Sequence, residues 1–312
     1  MPKEGSGLQS WLNRKQLPPD IHPDSRRSFL WTGTGFLLSA ALAKGDTLTA
    51  QQVIERIQKN VGVPWRTTTV DTIKAGSADS PVKGIATTMV ATLDLLKRAS
   101  AANRNFVIVH EPTFYNGNAD ELQTPGNADD PMVQLKRGFI EKNNMVVWRF
   151  HDHWHAQKPD GIISGMAMAL GWDKYRSPDN PRIFALPQTS LENLAKDIRD
   201  RLKIRAIRVV GDPGTMVSNA AFNPGATGLG QIQRYFSGTE VDVFVCGEPR
   251  EWDADEYVRD SIASGKKKGL IILGHDMSEE WGMENCARWL KTFITEVPVE
   301  FMPAGEAFWV PK

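Results

Sequence analysis

Five of the six histidines in this 312-residue chain fall in three short patches that also carry carboxylates. These are His110-Glu111-Pro112, His151-Asp152-His153-Trp154-His155 and His275-Asp276-Met277-Ser278-Glu279. Neutral imidazole is the commonest metal ligand, and carboxylates complete mixed nitrogen–oxygen sites for zinc, manganese or iron. His110 and Glu111 are consecutive, so in the turn before Pro112 they can diverge to touch two metals. Imidazoles packed as densely as those of the second patch repel one another when protonated, and metal binding relieves that repulsion. One helical turn would align His151 with His155, whereas His-x-His alternation suits an extended segment. His275 and Glu279 are four apart, so a helix starting at Ser278 turns Glu279 back toward His275. Two lesser patches accompany these. In 247–252, Glu248 or Glu251 could act as a general base or orient a ligand. Segment 223–228 has the glycines of an anion cradle but lacks the G-K-[ST] ending.

Each histidine patch follows an apolar, β-prone run, at 106–109, 145–148 and 270–273. The ligand-type residues therefore sit just past strand ends, where open α/β sheets assemble their sites. The surrounding pattern must supply those strands. Apolar spacing predicts a helix over 49–61, alternation a strand over 66–74, and the residues after the 76–81 turn a helix reaching 93–96. The strand at 106–110, a helix over 131–143, the strand at 145–150 and a short helix over 161–171 follow. After the turn residues at 176–181 a similar order restarts. It runs through a strand at 183–186, a helix over 190–202, strands at 206–210 and 217–222, and the glycine-rich loop leading into a helix. A strand at 241–246, a helix over 253–264, a strand at 269–274, a helix over 282–295 and a last strand near 298–302 close the chain. This alternation predicts an α/β fold of two similar halves, 44–181 and 182–312, with mixed sheets flanked by helices.

Residues 1–43 read as an address. Ser25-Arg26-Arg27-Ser28-Phe29-Leu30 is a near-complete twin-arginine motif, and the uncharged stretch behind it ends in Ala41-Leu42-Ala43, a cleavage pattern. The stretch is too short to span a bilayer comfortably. The expectation is a twin-arginine signal peptide and a mature protein that is periplasmic or otherwise exported, with no stable membrane anchor. That export route carries folded proteins, often already metallated, which suits a metal site. Lys+Arg and Asp+Glu both number 37, so charge gives no reason to expect a nucleic-acid partner. Two cysteines without a C-x-x-C pair leave structural zinc and thioredoxin-type chemistry unsupported, and Cys246, ending an apolar run, reads as a buried thiol. Of the ten tryptophans, Trp148, Trp154, Trp252, Trp281 and Trp309 fall in or near the site segments, where they can wall a pocket or pack a core.

Lys83-Gly84-Ile85-Ala86-Thr87-Thr88 with Ala91-Thr92-Leu93, Val109-His110-Glu111-Pro112-Thr113-Phe114, the patch through His155, Asp242-Val243-Phe244 with Gly247-Glu248, and Gly274-His275 with Ser278-Glu279 carry a resemblance. In these segments the chain resembles the Nif-three-like dinuclear-metal family, also called GTP cyclohydrolase type-2-like hexameric proteins, over about 50–310. The resemblance implies two divalent metal ions (zinc, manganese or iron) held by His110, Glu111, His155, His275 and Glu279. Glu111 stands where many members carry a second histidine, and His155 where they carry an aspartate, so the total of nitrogen and oxygen ligands stays similar. Glu248, Glu251 or His151 would then move protons. The resemblance also implies two similar α/β halves and a homo-hexamer with its sites on an internal cavity. The resulting expectation is an exported, metal-dependent hydrolase acting on a small molecule at a carbonyl, amidine or phosphoryl centre. Export argues against GTP as that substrate. The alternative is a metal-binding or assembly protein without turnover. A metallophosphoesterase would need a G-N-H-[DE], and an H-x-H amidohydrolase barrel several histidines after residue 155; neither is present.

Overall fold

The computed structural model describes residues 48–115, 129–238 and 240–311, so the expected signal peptide lies outside the described residues. Helix α1 (Ala50–Asn60) starts at a reciprocal capping box between Thr49 and Gln52 and buries Val53, Ile54 and Ile57. Strand β1 (Ile73–Ala75) precedes a run of parallel β-α-β units: β2 (Ile85–Thr88), α2 (Leu93–Ala101), β3 (Phe106–Val109), α3 (Pro131–Lys142) and β4 (Val146–Arg149). Two short helices follow, α4 (Asp152–Ala156) and α5 (Gly161–Leu170). Then come β5 (Ile183–Ser190), α6 (Leu191–Leu202) and β6 (Arg208–Val210). A second parallel run comprises β7 (Met216–Thr227), α7 (Leu229–Gly238), β8 (Val243–Pro249), α8 (Glu251–Ala263) and β9 (Gly269–Ile272). Helix α9 (Glu280–Leu290) and β10 (Val299–Phe301) end the ordered elements.

The strands form two five-stranded mixed sheets, ordered β1-β4-β3-β2-β10 and β5-β7-β8-β9-β6. The β1 edge is antiparallel to β4, and both edges of the second sheet are antiparallel to their neighbours. The last strand returns to the first sheet and pairs in parallel with β2. Side chains alternate across each strand, and the cores follow that alternation. Phe106 and Ile108 of β3 join Val243, Val245 and Ile271 of the second sheet in the largest core, together with residues of α1, α5, α6 and α9. Val107 and Val109 face the other way, onto α2 and α3. Phe244, Cys246, Leu270 and Ile272 likewise face α7 and α8. A strand buried on both faces reads as a near-continuous apolar run, which is why the three patch-bearing strands were legible.

Three expectations need correction. The 66–74 strand is limited to β1, because the donors before it go to side chains of the second patch rather than to a neighbouring strand. Arg66 N–H donates to His153 Nε2 at 3.0 Å, and Thr69 Oγ1 and Val70 N–H donate to Asp152 Oδ2 at 2.9 and 3.3 Å. The segment before residue 93 contains β2 rather than continuous helix; the helix begins only where the Thr92 side chain caps it. The loop expected at 223–228 is mostly strand. Pairing of β7 with β8 resumes at Ala226 and Thr227 after a register shift, so the glycine there marks a bulge.

Cys246 and Cys286 are both fully buried, and burial pushes both thiols well up from their ordinary value. Neither is expected to react with a thiol reagent such as DTNB while the protein is folded, and both should titrate in denaturant. A rapidly reacting thiol in the folded chain would contradict this placement.

Candidate metal centre

The carboxyl ends of the parallel strands in both sheets converge on one cluster. His110 and Glu111 leave the end of β3, and His151 follows β4. Asp71, 4% exposed, turns the chain there into α4: its carboxylate accepts from the backbone N–H groups of His151, Asp152 and His153 at 2.7–2.9 Å. The second patch is thus helical, and His151 and His155 share a face. His153 points elsewhere. It donates from Nδ1 to Asp71 at 2.6 Å, accepts from Arg66 at Nε2, and stacks on Trp65 with ring centroids 3.7 Å apart. It is a packing residue.

From the second sheet come His275, in the turn after β9, and Glu279, one residue before α9. Ser278 fastens this turn by donating to His275 O at 2.7 Å and accepting from Gly225 N–H at 2.8 Å. Gly225, at φ +65° in the β7 bulge, lies so close that a Cβ there would fall 2.5 Å from Glu279 Oε1 and 3.3 Å from His275 Nε2. The bulge therefore leaves the space that the Glu279 carboxylate occupies.

Each of three histidines has Nδ1 committed to an acceptor. His110 faces Phe150 O at 3.2 Å, His155 faces Asp160 Oδ2 at 3.0 Å, and His275 faces Glu248 Oε2 at 2.8 Å. All three thereby turn Nε2 into the shared space. There His110 Nε2 lies 3.1 Å from His155 Nε2 and 3.7 Å from Glu279 Oε2. His275 Nε2 lies 3.2 Å from Glu111 Oε1 and 3.5 Å from Glu279 Oε2. His151 Nε2 lies 3.7 Å from Glu111 Oε1, and its ring stacks on His110. Arg149, fully buried, holds Glu111 by donating to Oε2 at 2.9 Å and to His110 O at 3.0 Å.

Two groups of ligand atoms, each mutually within 4.8 Å, result: His110, His151 and His155; and His110, Glu111 and Glu279. His110 belongs to both. The donor set fits cations. Glu279 is 3% exposed, yet its Oε2 accepts no hydrogen bond, and an ionised oxygen left so would be costly. The electrostatics agree. Burial, followed by the His151 and His155 charges, holds His110 well below its ordinary value, which favours the neutral ring that a metal would need. Burial is also the largest influence on His275, but the neighbouring carboxylates of Glu111, Glu279 and Glu248 outweigh it and push its pKa up to about 11. The same contest, won by Asp160 and then Glu279, raises His155. A metal entering here would displace protons that the carboxylates otherwise retain.

Of the five residues expected as ligands, His110, Glu111, His155 and Glu279 fall in these groups, together with His151, which was expected to move protons; His275 falls in neither group but lies against Glu111 and Glu279. Glu248 orients His275 and is largely exposed. Glu251 is engaged by an ion pair with Arg208 and lines, with Glu248 and His275, a cavity beside the cluster. Asp71, Arg149, Asp160, Ser278 and Gly225 were missed. Ser278 and the glycines of 223–228 had been singled out for other roles, and Asp160 also left a signal, an aspartate before the apolar run of α5, whose first turn it caps through Ile162 and Ile163 N–H.

The family model for Duf34/NIF3 (NGG1p interacting factor 3) matches residues 48–306. A GTP cyclohydrolase 1 type 2 homolog of Clostridium acetobutylicum is 23% identical over 223 residues, covering 67% of this chain and 76% of the relative. Among solved structures, a hypothetical protein of Staphylococcus aureus superposes with a TM-score of 0.64 at 18% identity, over 82% of this chain and 97% of the other. A Bacillus cereus protein related to NIF3 gives 0.64 at 14% identity, over 83% and 97%. These likenesses show a shared fold.

Proposed function

The chain belongs to the Duf34/NIF3 family, and on that premise we propose that it is an exported dinuclear metalloprotein that hydrolyses a small molecule. One observation carries the reading: two overlapping ligand groups share the buried His110 and enclose a Glu279 oxygen that no hydrogen bond satisfies. Imidazoles and carboxylates in this ratio suit zinc, manganese or iron. When bound, such a pair supplies Lewis-acid polarisation and an acidified water. The chain's own residues do the rest. Phe150 O, Asp160 and Glu248 fix the three imidazole rings so that Nε2 faces inward. Arg149 holds the Glu111 carboxylate in place. Glu248, exposed at the mouth of the site, is positioned to accept a proton from a water and return it to a leaving group.

The Arg26-Arg27 motif supports export to the periplasm or beyond, and the family resemblance supports a homo-hexamer. No described helix is long and apolar enough to cross a membrane. The test is turnover. Metal-loaded protein is assayed against esters, amides, amidines and phosphoesters, and activity on at least one class is expected to vanish in His275→Ala. A fully metallated protein inert across that panel would replace the hydrolase reading with a metal-binding one.

A further inference from the structure

Beside the metal centre lies a cavity of about 830 Å³, within the range of small-molecule sites. Glu248 and His275 line one end, and Phe308 and Trp309 line it as well. These aromatics belong to a segment without regular structure that follows β10, and buried carboxylates hold it in place. Gly305 N–H donates to Glu280 Oε1 at 3.1 Å, and Glu280 is 4% exposed. Glu306 accepts from the backbone N–H groups of Arg205 and Ala206 at 2.7 and 2.8 Å. Arg98 donates to Pro303 O at 2.8 Å. The segment is thus fastened up to residue 306. The two rings beyond it stay in water, 65% and 69% exposed.

Large aromatics exposed just past an anchored stretch of backbone, on the wall of a cavity that also includes His275 and Glu248, are suited to receive something flat. Charge narrows what that is. The acidic groups on the walls are Glu248, Glu251, Asp276 and Glu306, and the one arginine, Arg208, is taken up by Glu251. Glu248 is likewise paired with His275 and Glu306 with Arg205, so the walls offer an anionic group no free guanidinium and a cation few unpaired carboxylates. We infer that this cavity seats a planar, uncharged aromatic or heteroaromatic group of the substrate against Phe308 and Trp309. The inference deepens the hydrolase reading and rests on it for which end of the substrate reacts, while its binding test stands alone. Aromatic side chains give such contacts at small entropic cost and favour flat partners by offset or edge-to-face stacking.

The probe is 2-naphthamide, with its saturated decalin carboxamide analogue as the control of equal skeleton and no flat face. Both are titrated calorimetrically into metal-loaded full-length protein, into the same protein stripped with chelator, and into Trp309→Ala and Phe308→Ala. Both side chains are exposed, so the variants should fold, which their melting temperatures check. Naphthamide is expected to bind at least fivefold more tightly than the analogue. Trp309→Ala should weaken it roughly tenfold with metal content unchanged, and stripped protein should retain the binding. Three results would overturn the inference: equal affinity for the two probes, unchanged affinity in both variants, or a change of oligomeric mass in Trp309→Ala with probe affinity intact. The last would make the aromatics a contact between copies. Failure of the hydrolase reading looks different: inert metallated protein that still discriminates the two probes.

Discussion

The His110→Ala protein is expected to hold neither ion, whereas His151→Ala should still hold one. His110 is the residue common to both ligand groups, it is fully buried, and its ring is already oriented by the Phe150 carbonyl. Its loss removes a ligand atom from each group at once. The fall in affinity should exceed the roughly 10–100-fold that follows loss of a merely orienting partner. His151 belongs to one group only and is half-buried, so its loss leaves His110, Glu111 and Glu279 intact. Metal analysis after dialysis at fixed free zinc checks both variants. Equal retention by the two would show that the shared position of His110 has no consequence.

Gly225→Ala carries the second large effect, and it reaches the site through the backbone. The new Cβ would stand 2.5 Å from the Glu279 carboxylate at a φ of +65°, where an L side chain is already strained. Glu279 cannot retreat easily, because it is buried beneath the turn that Ser278 pins. The expected cost is about 3 kcal/mol or more in folding stability and at least tenfold in metal affinity. Gly62→Ala separates the two causes. Gly62 has a φ of +75°, and a methyl added there would meet nothing within 4 Å, so it should lose only roughly 1–2 kcal/mol and no metal affinity. Denaturant melts and metal titrations of the pair decide it. Matching behaviour would mean that the closeness of Gly225 to Glu279 has no role.

What could be read from the chain follows from what burial demands. The strands before His110, His151 and His275 are buried on both faces, so unbroken apolar runs announced them. Strand β2 did not announce itself. Its Ile85-Ala86-Thr87-Thr88 is as buried as the others, but Thr87 meets its polar need by donating to Met283 O at 2.7 Å, a partner 196 residues away. A local pattern has no access to such a bond. The 66–74 segment failed for the same reason, since Asp152 and His153 take its donors. Glycines at 223–228 suggested a loop because a bulge and a loop need the same backbone freedom. At the centre, histidines and carboxylates past strand ends marked the patches, and the family resemblance singled out five of their residues as expected ligands. The residues that aim them were not legible, because Asp71, Arg149 and Ser278 act through contacts that only the folded sheets create. His151 was given a proton-transfer role because the resemblance left it outside the expected ligand set, and the sequence left both the helical and the extended reading of its patch open. The Asp71 cap settles that choice for the helix and puts His151 beside His110 and His155.

Metal content per chain, measured on wild-type protein purified from the exported fraction, bears most directly on the central claim. A value near two is expected, falling toward zero in His110→Ala. A value near zero in the wild type as well would contradict the dinuclear centre.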